Sequence, residues 1–311
     1  MRKILILGIN GFVGHYLAKE FTNSGYAVLG SDIAVSGFDS FNGEYYQCDL
    51  CNYNNVKTIL EISKPTHIVN LAAVSSVGLS WKMPQKTIEV NVCGTLNILE
   101  ALKELSQTPR VLLVGSSEEY EVSSMPINEK FPLNANNPYG ISKLMQDNFS
   151  QIYIEHYGMK IYRVRPFNHT GIGQNKSFVL PDLCKQVAEI EKSAKPGNIK
   201  VGNLSAKRDF SDVRDIVKAY RLIIESDLSD MVFNVGSGLS YSLQELLEYI
   251  ISLSNQNISI EVDQERFRPI DTPIICCDNS LIKKTLNWKP VYTIFETLKD
   301  MYMFYNKEVM K

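Results

Sequence analysis

The sequence predicts an α/β fold: a doubly wound parallel sheet, with a smaller α/β substrate unit interleaved with it in the C-terminal half. Short apolar runs of strand length alternate with amphipathic helical segments along the first half of the chain, the order that a parallel sheet with crossover helices requires. A glycine-rich stretch, Gly8-Ile9-Asn10-Gly11-Phe12-Val13-Gly14, joins the first strand to the first helix. No repeat, low-complexity tract or linker divides the chain, so the two units share a cleft instead of standing apart.

Taken in order, Lys3-Ile4-Leu5-Ile6-Leu7 is the first strand. The glycines after it allow a tight turn, a close backbone approach to a pyrophosphate and close helix–strand packing, with the helix N-terminus facing negative charge. That is the phosphate loop of a Rossmann sheet, with Gly8, Gly11, Phe12, Val13 and Gly14 as cofactor contacts. The second strand, Ala27 to Asp32, ends on an acid eighteen residues past Gly14. A carboxylate there accepts from both adenosine ribose hydroxyls and repels a 2′-phosphate, which leans toward NADH over NADPH. A helix-capping or loop aspartate is the competing reading. Further strands read at 44–48, 67–72, 110–115 and 160–164, and helices at about 12–24, 53–63, 85–105 and 138–157. The last opens with Pro138 in its first turn, carries Ile141, Met145, Phe149 and Ile152 at helical spacing, and stops at Gly158. Val213-Arg214-Asp215-Ile216-Val217 starts another helix and Val232 to Gly236 a further strand. The expected division is therefore 1–166 plus about 212–236 for the dinucleotide, and about 167–211 plus 237–311 for the substrate.

Tyr139 and Lys143 lie four residues apart in Pro138-Tyr139-Gly140-Ile141-Ser142-Lys143. On one helix they share a face, so the ammonium can stabilise the ionised phenol and pull its pKa from about 10 toward neutrality. Such a group donates or accepts a proton near pH 7. With 16 tyrosines in the chain the spacing alone reads first as a packed Tyr beside a solvated Lys. Its weight comes from place: the helix follows a strand ending in Gly115-Ser116-Ser117-Glu118-Glu119-Tyr120, and ligands of such sheets bind beyond the strands' carboxyl ends. The serines, Tyr139 and the glycine loop thus converge on one crevice.

Composition excludes several classes. At 311 residues, 44% hydrophobic and 21% charged, the chain can build a large globular core. A net charge of −2 gives no electrostatic case for nucleic acid or a membrane surface. No apolar stretch reaches the ~20 residues of a membrane span, and the N-terminus lacks a secretory signal; the expectation is a cytoplasmic enzyme. Six cysteines include Cys48-Asp49-Leu50-Cys51, but no second pair follows at zinc-ribbon distance, and His15, His67, His156 and His169 form no H-x-x-x-H pair. Reduced structural thiols and no metal are expected.

With Asp49-Leu50 after the third strand, Asn70-Leu71-Ala72-Ala73 after the fourth, Asn91 with Gly94-Thr95, the Ser116-Ser117 strand end and Tyr139/Lys143, essentially the whole chain resembles the extended short-chain dehydrogenase/reductases that act on nucleotide-activated sugars. Arg165 to Gln174, Val201-Gly202-Asn203-Leu204, Arg208-Asp209-Phe210 and Arg268-Pro269 are similar to the branch containing GDP-4-keto-6-deoxy-D-mannose reductase. GDP-mannose 4,6-dehydratases and reductases of dTDP-linked keto sugars are its neighbours.

The resemblance implies NADH- or NADPH-dependent 4-reduction of a nucleotide-linked 4-keto-6-deoxyhexose, GDP-4-keto-6-deoxy-D-mannose being favoured, in making a deoxysugar donor for a bacterial surface polysaccharide such as O-antigen. Ketone reduction needs a hydride donor, hydrogen-bond donors where the oxyanion develops, and a proton. In this reading Tyr139 supplies the proton, Lys143 tunes it and holds the nicotinamide ribose, and Ser116 bonds the C4 carbonyl. Cofactor contacts extend to Asp32, Asp49, Leu50, Leu71, Ala72 and Ala73. Substrate contacts are Ser75, Ser117, Asn168, Val179, Lys185, Asn203, Arg208 and Arg268, the two arginines being suited to the diphosphate. Glu118 matches a dehydratase glutamate that handles a proton during water elimination, so a 4,6-dehydratase or epimerase stays open beside a glutamate that only binds a sugar hydroxyl. A non-catalytic dinucleotide-binding regulator is the third reading, opposed by the intact Ser116, Tyr139 and Lys143 set. A homodimer through a four-helix bundle of the 85–105 and 138–157 helices is also implied.

Overall fold

Ile4 to Leu7 of the first strand are all buried. Ile4 and Ile6 enter one core, Leu5 and Leu7 another, as the two-residue period of a strand covered on both faces dictates. The computed structural model of the chain describes residues 2–229, 231–266 and 272–308. In chain order it contains β1 (Lys3–Leu7), α1 (Phe12–Asn23), β2 (Ala27–Asp32), β3 (Glu44–Gln47), α2 (Tyr53–Ser63), β4 (His67–Asn70), α3 (Val77–Lys82), α4 (Pro84–Ile88), a π turn (Glu89–Cys93), α5 (Gly94–Lys103), β5 (Arg110–Val114), a 3-10 turn (Ser117–Glu119), α6 (Pro138–Tyr157) and β6 (Ile161–Pro166). Then follow β7 (Asn168–Thr170), α7 (Val179–Ser193), β8 (Gly197–Val201), β9 (Lys207–Asp212), α8 (Val213–Glu225), β10 (Val232–Val235), β11 (Ser240–Ser242), α9 (Leu243–Ser252), β12 (Ile258–Val262), β13 (Ile274–Ile275), α10 (Ser280–Leu286) and α11 (Ile294–Glu308).

Among the described residues the main sheet has the order β10-β6-β5-β4-β1-β2-β3, parallel throughout. Strand order reverses between β1 and β4, which opens a crevice at their carboxyl ends. Helices α1 and α8 cover one face, where Phe21, Val217 and Tyr220 join Ile4 and Ile6. Helices α2, α5 and α6 cover the other, where Leu60, Leu99 and Tyr153 join Leu5 and Leu7. Each such buried aliphatic side chain contributes about 1.5–3 kcal/mol. The remaining strands form a second sheet around β9, with β7 and β13 parallel to it and β11 antiparallel, and a parallel β8–β12 pair. Helices α7, α9 and α11 enclose a further core of Leu183, Val187, Leu246, Ile250, Leu298 and Met301. No helix among the described residues is long and apolar enough to cross a membrane.

Two expectations need correction. The helix expected at 85–105 is broken into α4, the π turn and α5. The π turn buries Asn91, whose amide bonds the Val74 main chain and Ser142; these side-chain bonds, absent from any helical periodicity, accompany the break. The fourth strand ends at Asn70, because Leu71 to Ala73 turn across the glycine loop. In α6, moreover, the apolar spacing marks the outer face: Ile141 and Ile152 are 44% and 45% exposed. The buried residues of α6 are instead mostly polar, namely Gly140, Ser142, Lys143, Gln146, Ser150 and Tyr153.

Candidate active site

The glycine loop forms one rim of the crevice. Gly8 and Ile9 donate to the Ser31 carbonyl at 2.8 and 3.1 Å, which ties the loop to the end of β2. Gly8 has φ +80°, and a Cβ on it would lie 2.7 Å from the Ala72 nitrogen; only glycine combines that backbone with that contact. A Cβ on Gly14 would sit 2.2 Å from the Ile9 carbonyl oxygen, so α1 packs against its own entry loop. Gly11 caps α1 without a side-chain hydrogen bond, which leaves N-terminal N–H groups for an anion. Asn10 donates its N–H to Asp32 Oδ2 at 3.2 Å, and its side-chain Oδ1 is buried with no partner. The narrow glycine cradle, the uncapped helix and this orphaned acceptor fit a dinucleotide.

Of the other predicted cofactor residues, Leu71 to Ala73 follow β4 at the same switch point, and Asp49 and Leu50 follow β3, two strands along the sheet from β1. Ala72 donates its N–H to Asn70 Oδ1 at 3.2 Å and Leu71 to the Leu7 carbonyl at 2.9 Å, with Ala73 half-buried beside them. After β3, Asp49 Oδ1 accepts from the Cys51 N–H at 2.9 Å, and the carbonyl of buried Leu50 accepts from Asn97 at 2.7 Å. Val13 packs on the β1 core. Phe12 lies parallel to His169, ring centroids 6.5 Å apart.

The opposite rim is built from the end of β5 and the start of α6. Ser116 caps the 3-10 turn: its Oγ accepts from the Glu118 N–H at 3.1 Å, and its own N–H donates to Glu119 Oε1 at 2.6 Å. Asn137 caps α6 by accepting from the Gly140 N–H at 2.9 Å, while its amide donates to Glu118 Oε2 at 2.8 Å. Ser80 reaches across from α3 to accept from the Tyr139 N–H at 3.1 Å. Gly140 carries no side chain because a Cβ would meet the Glu118 carbonyl oxygen at 2.3 Å. Tyr139 is thereby set facing Ser116. Burial raises the pKa of its phenol; the hydrogen-bonding Ser116 hydroxyl pulls it down, and the charges of Glu118 and Glu119 push it up.

Lys143 stands beside Tyr139 but turns its hydrogen bonds elsewhere. Its ammonium lies 6.0 Å from the Tyr139 ring centre but donates to the Val114 carbonyl at 2.7 Å and to Gln146 Oε1 at 3.3 Å. It is buried, and desolvation lowers its pKa to about 8 against the opposing pull of Glu119. Burial raises the phenol's pKa here, against the downward shift that the spacing predicts. The phenol's electrostatics are set by burial, Ser116 and the two glutamates.

The predicted substrate residues are dispersed. Ser117 is buried beside Ser116, and exposed Ser75 lies between Val74 and the Ser76 cap of α3. Asn168 begins β7 and Val179 begins α7, both half-buried. Lys185 pairs with Glu189 one turn along α7 at 3.3 Å. Asn203 accepts from Ser205, N–H at 3.0 Å and hydroxyl at 2.8 Å. Arg208 is buried and donates to the carbonyls of Lys207 at 2.9 Å and Thr272 at 2.6 Å, so part of its guanidinium holds main chain. Arg268 lies outside the described residues.

Sequence reading missed Asn137, Ser80 and Glu119 as parts of this rim. The Asn137-Pro138 pair was a usable signal for the first, since Asn at an N-cap followed by Pro at the first helical position marks a helix start. Ser80 and Glu119 act on residues brought near only by folding.

A family profile described as GDP-mannose 4,6 dehydratase matches residues 5–301. The chain belongs to the GDP-mannose 4,6-dehydratase family. Its relatives are named for more than one activity. The GDP-6-deoxy-D-mannose reductase of Pseudomonas aeruginosa is 29% identical over 303 residues, covering 96% of this chain and 95% of that protein. A GDP-mannose 4,6-dehydratase of Vibrio cholerae is 26% identical over 348 residues, covering 97% and 93%. Among solved structures, RMD from Pseudomonas aeruginosa complexed with NADPH superimposes with a TM-score of 0.87 at 25% identity, over 99% of this chain and 100% of that one. UDP-glucose 4-epimerase from Brucella ovis in complex with NAD gives 0.87 at 24%, over 98% and 99%, a likeness of fold.

Proposed function

We propose that this member of the GDP-mannose 4,6-dehydratase family is an oxidoreductase that reduces the C4 ketone of a nucleotide-linked 4-keto-6-deoxyhexose, GDP-4-keto-6-deoxy-D-mannose before its dTDP-glucose counterpart. The observation that carries the reading is the Ser116–Tyr139 pair, set opposite a dinucleotide-shaped glycine loop in a chain similar throughout to a GDP-6-deoxy-D-mannose reductase. A reduced nicotinamide, NADH or NADPH, supplies the hydride when bound. Asp32 favours NADH by its charge at the ribose position, although the solved Pseudomonas structure holds NADPH; the ratio of kcat/KM for the two cofactors decides it.

In this mechanism the glycine loop and the start of α1 hold the diphosphate, and Asp32, Asp49 and Leu50 hold the adenosine end. Ser116 donates to the C4 oxygen and Tyr139 delivers the proton as the alkoxide forms. The raised phenol pKa keeps Tyr139 protonated at neutral pH, so it carries the proton that the more basic alkoxide takes. Lys143 holds its position by the Val114 carbonyl and Gln146 and offers its one remaining N–H donor to the cofactor ribose. Residues 1–166 and about 212–236 serve the cofactor; about 167–211 and 237–311, with Asn168, Val179, Lys185, Asn203, Arg208 and Arg268, serve the nucleotide sugar. The exposed Ile141 and Ile152 on α6 supply apolar surface for a homodimer built with the 85–105 helical region, which analytical ultracentrifugation of Ile152→Asp tests by loss of the dimer.

Dehydration is the second reading, favoured by Glu118. The 2.8 Å bond from Asn137 to Glu118 supports a positioning use of that carboxylate instead, because it is engaged in holding the helix that carries Tyr139. Purified protein mixed with NADH or NADPH and either 4-keto-6-deoxy sugar should consume reduced cofactor, read as loss of its absorbance. No consumption, together with conversion of GDP-mannose, would sink the reductase reading in favour of the dehydratase.

A further inference from the structure

Behind the Ser116–Tyr139 rim lies a chain of buried charges that the proposed mechanism does not use. Glu119 is fully buried. One of its oxygens accepts from the Ser116 N–H at 2.6 Å, the other from Arg165 Nε at 2.7 Å. Arg165 also donates to the Tyr120 hydroxyl at 3.0 Å and bridges to Asp147, which takes a second bond from Arg163 at 3.3 Å. Gly115 is shaped to the arrangement: a Cβ there would fall 2.3 Å from Glu119 Oε1. Both carboxylate oxygens meet N–H donors, so the geometry holds the ionised form, although burial pushes the group up to about 7 against Arg165 and the Ser116 N–H.

Lys143 lies on the same buried side of α6, with Gln146 as their shared neighbour: Gln146 bonds Lys143 and the Val114 carbonyl and lines a cavity of about 10 Å³ together with Glu119, Asp147, Arg163 and Arg165. The titratable groups on this side are Tyr139 and Asp147 on the helix itself, Glu118 and Glu119 from the 3-10 turn, Tyr120 after it, and Arg163 and Arg165 from β6; the other elements packed on α6 add Lys82 from α3, Lys86 from α4, Glu89 from the π turn, and Glu100 and Lys103 from α5, with Glu89 paired to Lys86 and Glu100 to Lys103. Asp147 is committed to the two arginines and Glu118 to Asn137. Glu119 stands across Gln146 from Lys143: Glu119 and Gln146 line the same small cavity, the ammonium's bond to Gln146 links them, and at that place the negative charge of Glu119 favours the ammonium.

We propose that Glu119 is a positioning residue which couples the two working groups of this site: through one oxygen it fixes the Ser116 backbone, and through its charge, anchored by Arg165, it keeps Lys143 an ammonium. The proposal rests on the reductase reading for its effect on turnover, but not for its effect on Lys143.

The test is an NMR titration of isotopically labelled lysine in the full chain without cofactor, compared with the pH profile of turnover. In Glu119→Gln the Lys143 midpoint should fall by about one pH unit, and the alkaline limb of kcat should move down with it while KM for the keto sugar stays within about twofold. Glu119→Asp, which keeps the charge on a shorter stem, should restore the midpoint but not the full rate. An unchanged Lys143 midpoint in Glu119→Gln, or equal shifts in the Gln and Asp variants, overturns the coupling. Where Glu119→Gln does not fold, Glu119→Gln/Arg165→Gln, which leaves no unpaired member of that bridge, should lower the midpoint in the same direction but by less, because the opposing Arg165 charge leaves with that of Glu119; a midpoint that does not fall overturns the coupling. A shifted midpoint in a protein that reduces no keto sugar would leave the coupling standing and remove the reductase reading.

Discussion

The two rims of the crevice are built by different physics. The glycine rim is held by main chain and by close contact: Gly8 and Ile9 on Ser31, Ala72 against Gly8, Ile9 against Gly14. The tyrosine rim is held by side chains from distant parts of the chain: Ser80 on Tyr139, Asn91 on Ser142, Glu118 on Asn137, Arg165 on Glu119. A steric rim tolerates no added atom, whereas a polar rim tolerates no lost partner. The first can therefore be damaged by a methyl group and the second by the removal of a single charge or amide.

The largest effect is expected on the tyrosine rim. Tyr139→Phe keeps the ring and removes the proton, so kcat should fall by about 10²–10⁴-fold with cofactor affinity little changed, as read by reduced-cofactor consumption and by titration of protein fluorescence. Retained turnover would remove Tyr139 from the chemistry. On the glycine rim, Gly14→Ala drives a Cβ into the Ile9 carbonyl at 2.2 Å; it should weaken cofactor binding by about tenfold or more, since displaced loop N–H groups no longer meet the diphosphate. Isothermal titration checks this, and an unchanged Kd would show that the rim yields without consequence.

A smaller effect separates the rims by pH. Burial lowers the Lys143 pKa to about 8, so its ammonium is present below that pH and lost as pH rises through it. Turnover should decline from about pH 8 upward, roughly tenfold per unit in the limit, with cofactor affinity following only through the ribose contact. A limb that begins only near the ordinary lysine range of about 10.4 would mean that Lys143 is not desolvated as described. The smallest effect is Asn137→Ala, which removes the cap of α6 and costs about 1 kcal/mol, seen as a lower Tm in thermal unfolding. A loss of activity larger than that stability change accounts for would assign the Asn137–Glu118 bond a share in the chemistry.

How much of this was legible in the sequence follows the same division. Strand β1, the glycine loop and Asp32 could be read because their signals are local: a five-residue apolar run, three glycines at fixed spacing, and an acid at a strand end. Tyr139 and Lys143 could be read as a spacing, and their helix was placed correctly from Pro138 to Tyr157. What the spacing could not carry was the direction of the Lys143 side chain, which the Val114 carbonyl on β5 decides. Nor could periodicity reveal that α6 turns a polar side inward, because the partners that make burial of Ser142, Lys143 and Gln146 tolerable are Asn91, Val114 and Thr95, all from other elements. Glu119 reads as one more acidic residue in a short loop until Arg165, 46 positions later, is brought against it.

The most direct measurement follows the hydride. Protein is incubated with GDP-4-keto-6-deoxy-D-mannose and reduced cofactor deuterated at the transferring position, and the product sugar is assigned by NMR and mass spectrometry. The expected result is one deuterium on carbon 4 of the sugar for each cofactor oxidised. Unlabelled sugar with the cofactor still reduced, alongside turnover of GDP-mannose to a keto product, would contradict it.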